Sequence, residues 1–147
     1  MAQAERKSVS TDDYVEILYL YARYNFASDA GDAEAYADCF VEEGVLETRP
    51  LNYRVAGRAD LVAHKQRDAA GRGGRYRRHW NTNISVEIAG DGSIIGRCYF
   101  MGFNGEPGQL PQLGDCGVYE DRLSKAGGTW RFVQRVLTMD AWTWNKT

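Results

Sequence analysis

The hydrophobic pattern of this chain changes period once. From Thr11 to Ala30 apolar positions recur at helical spacing, and from His79 to Trp142 they alternate with a period of two. Ser10 or Thr11 makes a good N-cap, Asp12 and Asp13 place negative charge in the first turn, and Gly31 ends the segment as a C-cap glycine does. Asp32 can cap a second, short helix over 33–40. "EEGVLET" reads as a strand leading to Pro50, and "YRV" as another before Gly57. "RADLVAHKQRDAA" reads as a third helix, with Leu61, Val62 and Ala69 as its apolar positions, and "GRGG" as a loop. Four long strands follow, at about 79–88, 93–104, 114–124 and 129–142, separated by the turn residues of "GDGS", "GEPGQLPQ" and "KAGG". Helices followed by an antiparallel meander predict an α+β fold, three N-terminal helices packed into a curved, mainly antiparallel sheet.

Composition narrows the possibilities. The 147 residues, 44% hydrophobic and 26% charged, suit one domain over the whole chain, with residues 1–10 expected to be a flexible N-terminal segment. A net charge of −2 does not suit a phosphate-backbone binder, so no nucleic-acid partner is expected. No apolar run approaches the roughly 20 residues that span a bilayer, and "MAQAERKSVSTDD" carries no apolar h-region, so neither a membrane partner nor a secretory signal is expected. Cys39, Cys98 and Cys116 are widely separated and odd in number; they predict reduced core thiols and a cytoplasmic protein. The spacing of His, Cys and carboxylates matches no metal or nucleotide site, and neither "GDGS" nor "GRGG" lies between a strand and a helix as a phosphate loop does, so no metal and no cofactor are expected. Aromatic residues make up 12% of the chain. That content fits a well-filled core and a pocket wall for a flat ligand equally.

Three positions carry candidate chemistry. On the first helix Tyr14, Ile17, Leu18, Tyr21, Asn25 and Ser28 share a stripe, with Tyr24 and Asp29 on its two edges, so an apolar face turns polar towards its end. A carboxylate at a helix C-terminus opposes the dipole, which calls for a compensating partner, although simple solvation is open. His79 is one of two histidines, and its imidazole can accept a proton at working pH, better if a carboxylate fixes its tautomer. It shares strand parity with Asn81, Asn83 and Ser85, while Trp80, Ile84, Val86 and Ile88 occupy the other face; either it precedes the regular strand or a bulge re-aims it. His64 sits mid-helix beside Lys65, where a solvated role is expected. Arg135 shares a face with Val133, Leu137 and Met139 and needs a partner there, either Glu47 or Asp121 or an anionic group of a substrate. Arg67, Arg72, Arg75, Arg77 and Arg78 cluster around the glycine loop and are expected to be solvated, with Arg78 at a pocket mouth as the alternative.

The order and spacing of "DAGDAEAYADCFVEEGVLE", "GRADLVAH", "RHWNTNISVEIAGDGS", "GVYEDRL" and "GGTWRFVQR" resemble the SnoaL-like superfamily, the α+β cone shared by ketosteroid isomerase and scytalone dehydratase, over roughly 11–140. Within it the chain is most similar to lyases that use a His–Asp pair, such as lindane dehydrochlorinase and bile-acid 7α-dehydratase. That resemblance implies catalytic roles for His79, Asp29, Tyr24 and Arg135: base, orienting carboxylate, hydrogen-bond donor or acid, and charge stabiliser. Tyr14, Tyr21, Asn25, Arg78, Trp80 and Phe103 are the expected substrate contacts. The dehydrochlorinase has a lysine at the position of Tyr24, and scytalone dehydratase a second histidine without counterpart here; the first departure favours an oxygen leaving group. The expected activity is cofactor-independent elimination of water, or of a small fragment such as formaldehyde, from a small aromatic or alicyclic substrate. An isomerase or cyclase on the same fold and a non-catalytic binding protein are the alternatives. A homodimer or homotrimer is expected by the same resemblance.

Overall fold

Helix α1 (Thr11–Ala30) begins where the Ser10 hydroxyl accepts the Asp13 N–H, and ends at Gly31, whose φ of 71° turns its own N–H back to Ser28 O. In the computed structural model, which describes residues 7–144, α1 is followed by α2 (Ala33–Ala37), β1 (Phe40–Arg49), β2 (Tyr53–Ala56) and α3 (Arg58–Ala70). Then come β3 (Tyr76–Ile88), β4 (Ile94–Gly105), β5 (Gln112–Ser124), a 3₁₀ turn at Ala126–Gly128, and β6 (Arg131–Trp142). Most of the segment expected to be a flexible lead-in lies outside the described residues. The second helix is shorter than its sequence pattern predicts, because Phe40 joins β1, pairs in register with Phe132 of β6 and is buried. Strand β3 starts three residues earlier than expected, with Tyr76, Arg77 and Arg78 already paired to β4.

The six strands form one open sheet in the order β2-β1-β6-β5-β4-β3. β3 to β6 make the antiparallel meander that the alternation predicts, and β1 joins β6 in parallel. The three helices pack on this mixed sheet: α1 crosses β3, and α3 lies against β1 and β2. The core between them is rich in rings, with Tyr21, Tyr24, Tyr36, Phe40, Phe100, Tyr119 and Phe132 buried together. The buried stripe of α1 is Ile17, Leu20, Tyr21, Tyr24, Ala27 and Ser28, rotated from the expected one, so Tyr24 stands at its centre and not at its edge.

The parity conflict at His79 is resolved by a bulge. The β3–β4 register steps from Thr82↔Tyr99 to Ser85↔Arg97, one extra residue on β3, at Asn83 with φ of 56°. Before the bulge Arg77, His79 and Asn81 face the helices; after it Ile84 and Val86 take over that face.

Arg135 lies fully buried at the centre of the core. Of the two carboxylates the sequence offers it, the partner is Asp121: Nε donates to Oδ1 at 2.9 Å and Nη2 to Oδ2 at 3.1 Å, while the Tyr21 hydroxyl donates to Oδ2 at 2.5 Å. The guanidinium is sandwiched by the rings of Tyr119, Phe132 and Tyr24 at 3.9, 4.1 and 4.2 Å. Burial pushes the Asp121 carboxyl up, and Arg135 and Tyr21 oppose it; with three donors on its two oxygens, Asp121 acts as the anion. Removing one member of a buried ion pair costs about 3–5 kcal/mol, because the other charge stays buried unpaired. Asp121→Asn is therefore expected to lower stability to urea by about that much; a loss near that of a surface substitution, roughly 0.5 kcal/mol, would mean that the pair does not hold the core.

Candidate active site

A cavity of about 850 Å³ opens between the sheet and α3. Its inner wall is aromatic, formed by Tyr24, Tyr36, Phe100 and Tyr119, and its polar side carries Ser28, His64, Lys65, Asp68, Arg77, His79 and Asp115. Exposed Arg67, Gly71, Arg75 and Thr143 form the rim.

Asp29 and His79, fifty residues apart in sequence, meet beside this cavity. His79 Nδ1 lies 2.5 Å from Asp29 Oδ1, and the backbone N–H of His79 donates to Asp29 Oδ2 at 3.1 Å. The two bonds fix both carboxylate oxygens and leave the ring one rotamer, with Nδ1 as the protonated nitrogen and Nε2 as the acceptor. Burial holds the His79 imidazole down, to about 4; the bond to Asp29 opposes that shift and the charge of Arg77 adds to it. At neutral pH the ring is thus a neutral base. Asp29 is tolerated at its helix end because Arg72, at the far end of α3, donates to the terminal carbonyls Asp29 O at 2.8 Å and Ser28 O at 2.7 Å.

Arg77 stands next to the base. Its Nε donates to His79 Nε2 at 3.4 Å, its Nη1 to Asn104 Oδ1 at 3.0 Å, and its Nη2 to both oxygens of Asp115 at 3.0 and 2.8 Å. Trp144 Nε1 completes the Asp115 carboxylate at 2.9 Å. Gly102 is required below this cluster, since a Cβ there would lie 1.9 Å from Asp115 Oδ1 and 2.7 Å from Arg77 Nη2.

Two further polar pairs line the cavity. Lys65 donates to Ser28 Oγ at 2.8 Å and to Asp68 Oδ2 at 3.0 Å, and its ammonium sits 4.6 Å from the centre of the Tyr36 ring. Burial lowers its pKa to about 8 against the opposing pull of Asp68. His64, expected to be solvated, is instead buried and shares a hydrogen bond of 2.8 Å with the Tyr53 hydroxyl.

The residues singled out in the sequence separate into two groups. His79 and Tyr24 line the cavity, and Asp29 sits directly behind His79. The Tyr24 hydroxyl shares a hydrogen bond of 3.2 Å with Tyr36, and burial drives its pKa well above that of a free phenol, so it is a neutral donor. The others lie off the cavity. Arg135 and Tyr21 belong to the core pair, walled off by the tyrosines. Tyr14 donates to Ile84 O and Asn25 to Asn81, which ties α1 to β3. Trp80, 56% exposed, stacks on Phe103 on the outer face, opposite in parity to His79. Arg78 shares that face and folds over the Tyr76 ring. Of the arginines expected to be solvated, Arg72 and Arg77 are largely buried and paired. Ser28 lines the cavity, as its place on the polar end of the first-helix stripe predicts; Tyr36, Lys65, Asp68, Arg77, Tyr119 and Asp115 were not anticipated, and the signal for Arg77 was its shared parity with His79, two residues on.

An open mixed sheet curved around helices and an interior cavity place the protein in the class of NTF2-like α+β cones. The SnoaL-like domain family matches residues 9–136, and the chain belongs to it. The fold of this family is found in polyketide cyclases, dehydratases and isomerases. Among solved structures, ActVI-ORFA from Streptomyces coelicolor is similar at 26% identity and a TM-score of 0.81, covering 88% of this chain and 98% of that one. Rv3472, a protein of unknown function from Mycobacterium tuberculosis, matches at 29% identity and a TM-score of 0.77, over 88% of this chain and 72% of its own. An NTF2-like protein with a cystatin-like fold from Novosphingobium aromaticivorans matches at 26% identity and 0.73, over 88% and 82%. No curated protein matches the sequence significantly. Among the described residues no helix is long and apolar enough to cross a membrane, and no group of three or more His, Cys, Asp or Glu could hold a metal ion.

The local charges predict a titration. The His79 ring protons are expected to titrate in NMR near pH 4, and in Arg77→Gln the midpoint is expected to rise, because a neighbouring cation has been removed. A wild-type midpoint near 6.5, the ordinary histidine value, would contradict this description of the site.

Proposed function

We propose that this protein is a cofactor-independent lyase that removes water, or a small fragment such as formaldehyde, from a small aromatic or alicyclic substrate. The observation that carries the reading is the Asp29–His79 contact, with His79 among the residues that line the cavity. In dehydration, Nε2 takes a proton from a carbon next to an electron-withdrawing group. The electron pair of the broken C–H bond forms the new double bond, the C–O bond breaks, and the hydroxyl leaves as water with the proton that the imidazolium returns. For a hydroxymethyl substrate, Nε2 takes the O–H proton, the C–C bond breaks, formaldehyde departs, and the bonding pair stays on the substrate carbon, to which the imidazolium returns the proton. In both, Asp29 holds the ring and stabilises the imidazolium that forms. The Tyr24 hydroxyl donates a hydrogen bond to a substrate oxygen. Arg135 acts through the tyrosine floor that it supports, at 4.2 Å from the Tyr24 ring and 3.9 Å from Tyr119.

Cavity size and lining support the substrate class. About 850 Å³ accommodates one or two rings, and ring-bearing walls with a few convergent polar groups are what flat organic ligands require. The outer face of the sheet, with Trp80 and Tyr99 more than half exposed, supports assembly as a homodimer or homotrimer.

The test is turnover of a panel of hydroxylated and hydroxymethyl aromatic compounds, read by product mass. His79→Ala and Asp29→Asn are each expected to lose about 10²–10⁴-fold. Retention of near-normal rates by both variants would contradict the base assignment, and a product of unchanged mass would point to the isomerase instead. The pH profile has a sign: the base works only when neutral, so kcat/KM is expected to rise through about pH 4 and to be flat between 5 and 6.5. A rise centred near 6.5 would contradict it.

A further inference from the structure

We propose that the ammonium group of Lys65 forms an oxyanion subsite in the cavity, which takes the enolate or phenolate oxygen of an aromatic substrate. The inference rests on the lyase reading, for which it names the group that receives the developing negative charge. Lys65 is only 4% exposed, yet it lines the cavity. Of its three N–H donors, one is committed to Ser28 Oγ and one to Asp68 Oδ2. Asp68 does not belong to Lys65 alone, because the same Oδ2 accepts from Arg72 Nη2 at 2.7 Å. Two cations thus share one carboxylate oxygen. The third donor of Lys65 is left to the cavity, where the Tyr36 ring flanks the ammonium.

The charges around this side of the cavity come from four elements. Asp29 lies on α1, Asp68 and Arg72 on or beside α3, and Arg77 on β3 with its partner Asp115 on β5. Formally, Lys65, Arg72 and Arg77 balance Asp29, Asp68 and Asp115. When His79 takes a proton, this lining gains one positive charge. The same reaction breaks a substrate C–H bond, or an O–H bond and then a C–C bond, and the C–H or C–C electron pair stays on the substrate, delocalised onto a carbonyl or phenolic oxygen. An oxyanion docked on Lys65 restores the balance, and a fixed, buried cation is most effective in that role. The Lys65 charge already reaches His79, since it helps to depress the imidazole. With a pKa lowered to about 8, the ammonium is charged at neutral pH and can also pass its proton to the oxygen it holds.

The test needs no turnover. 4-Nitrophenol is a flat aromatic acid whose anion is yellow and whose neutral form is not. One pH unit below the pKa of the free probe, wild-type protein is expected to bind it as the yellow anion. Lys65→Met is expected to bind the anion about 10–100-fold more weakly, the share of one hydrogen bond to a charged group, and to hold the probe colourless. His79→Ala is expected to keep the yellow complex, so failure of the base assignment and failure of the subsite give different results. Should Lys65→Met not fold, Lys65→Gln serves the same comparison. The four lysines, Lys7, Lys65, Lys125 and Lys146, also allow selective ¹³C-lysine labelling of the wild type, in which the Lys65 resonance is expected to titrate at higher pH once the probe is bound. Equal affinity and colour in wild type and variant, binding of the neutral form alone, or no binding by wild type would each overturn the proposal.

Discussion

The contact between the Asp29 carboxylate and the His79 imidazole joins the end of α1 to the start of β3, and the site is built around it. Neither group is stable there alone. A carboxylate at a helix C-terminus opposes the exposed carbonyls, and an imidazole inside an aromatic wall loses its hydration. Each is the other's compensation. Arg72 neutralises the carbonyls on one side, and the backbone N–H of His79 occupies the second carboxylate oxygen. The result is a ring held neutral, in one tautomer, beside the cavity, with its basic nitrogen next to Arg77 Nε.

The same constraint, that a buried ion must meet its opposite with hydrogen bonds to spare, organises the rest of the interior. Arg135, Asp121 and Tyr21 tie β6 to β5 and α1 in the core. Arg77, Asp115 and Trp144 tie β3 to β5 and the chain beyond β6. Lys65, Asp68, Arg72 and Ser28 tie α3 to α1. Only the first is sealed by rings on its faces. The other two border the cavity, where their charges are available to a ligand. A cone that is apolar at its floor and charged along one wall suits a substrate with a flat hydrophobic body and one polar edge.

Much of the architecture was legible because it depends on local patterns. α1 and the meander follow from caps, turn residues and a change of period, all of which act within a few residues. The parallel docking of β1 on β6 was not legible, since it depends on which edge of the meander remains free once the sheet has formed. The Asp29–His79 pair came from a family resemblance, and its geometry depends on a bulge at Asn83 that the sequence offered only as one of two explanations. Trp80 and Phe103 were placed at the pocket because rings suggest walls, yet strand parity sends them to the outer face. For Arg135 the sequence left a structural carboxylate and a substrate anion open, because a charge among aliphatics needs a partner; the partner is internal, Asp121. His64 was read as solvated because it sits mid-helix beside Lys65, and only the packed sheet reveals that this side of α3, with Lys65, is buried.

The protonation state of the His79 ring is the most direct measure of the central claim. In ¹⁵N NMR spectra of the wild-type protein at neutral pH, Nε2 is expected to have the shift of an unprotonated, pyridine-type nitrogen and Nδ1 that of a protonated one. A proton on Nε2, or on both nitrogens, would leave the cavity facing an acid and would contradict the account.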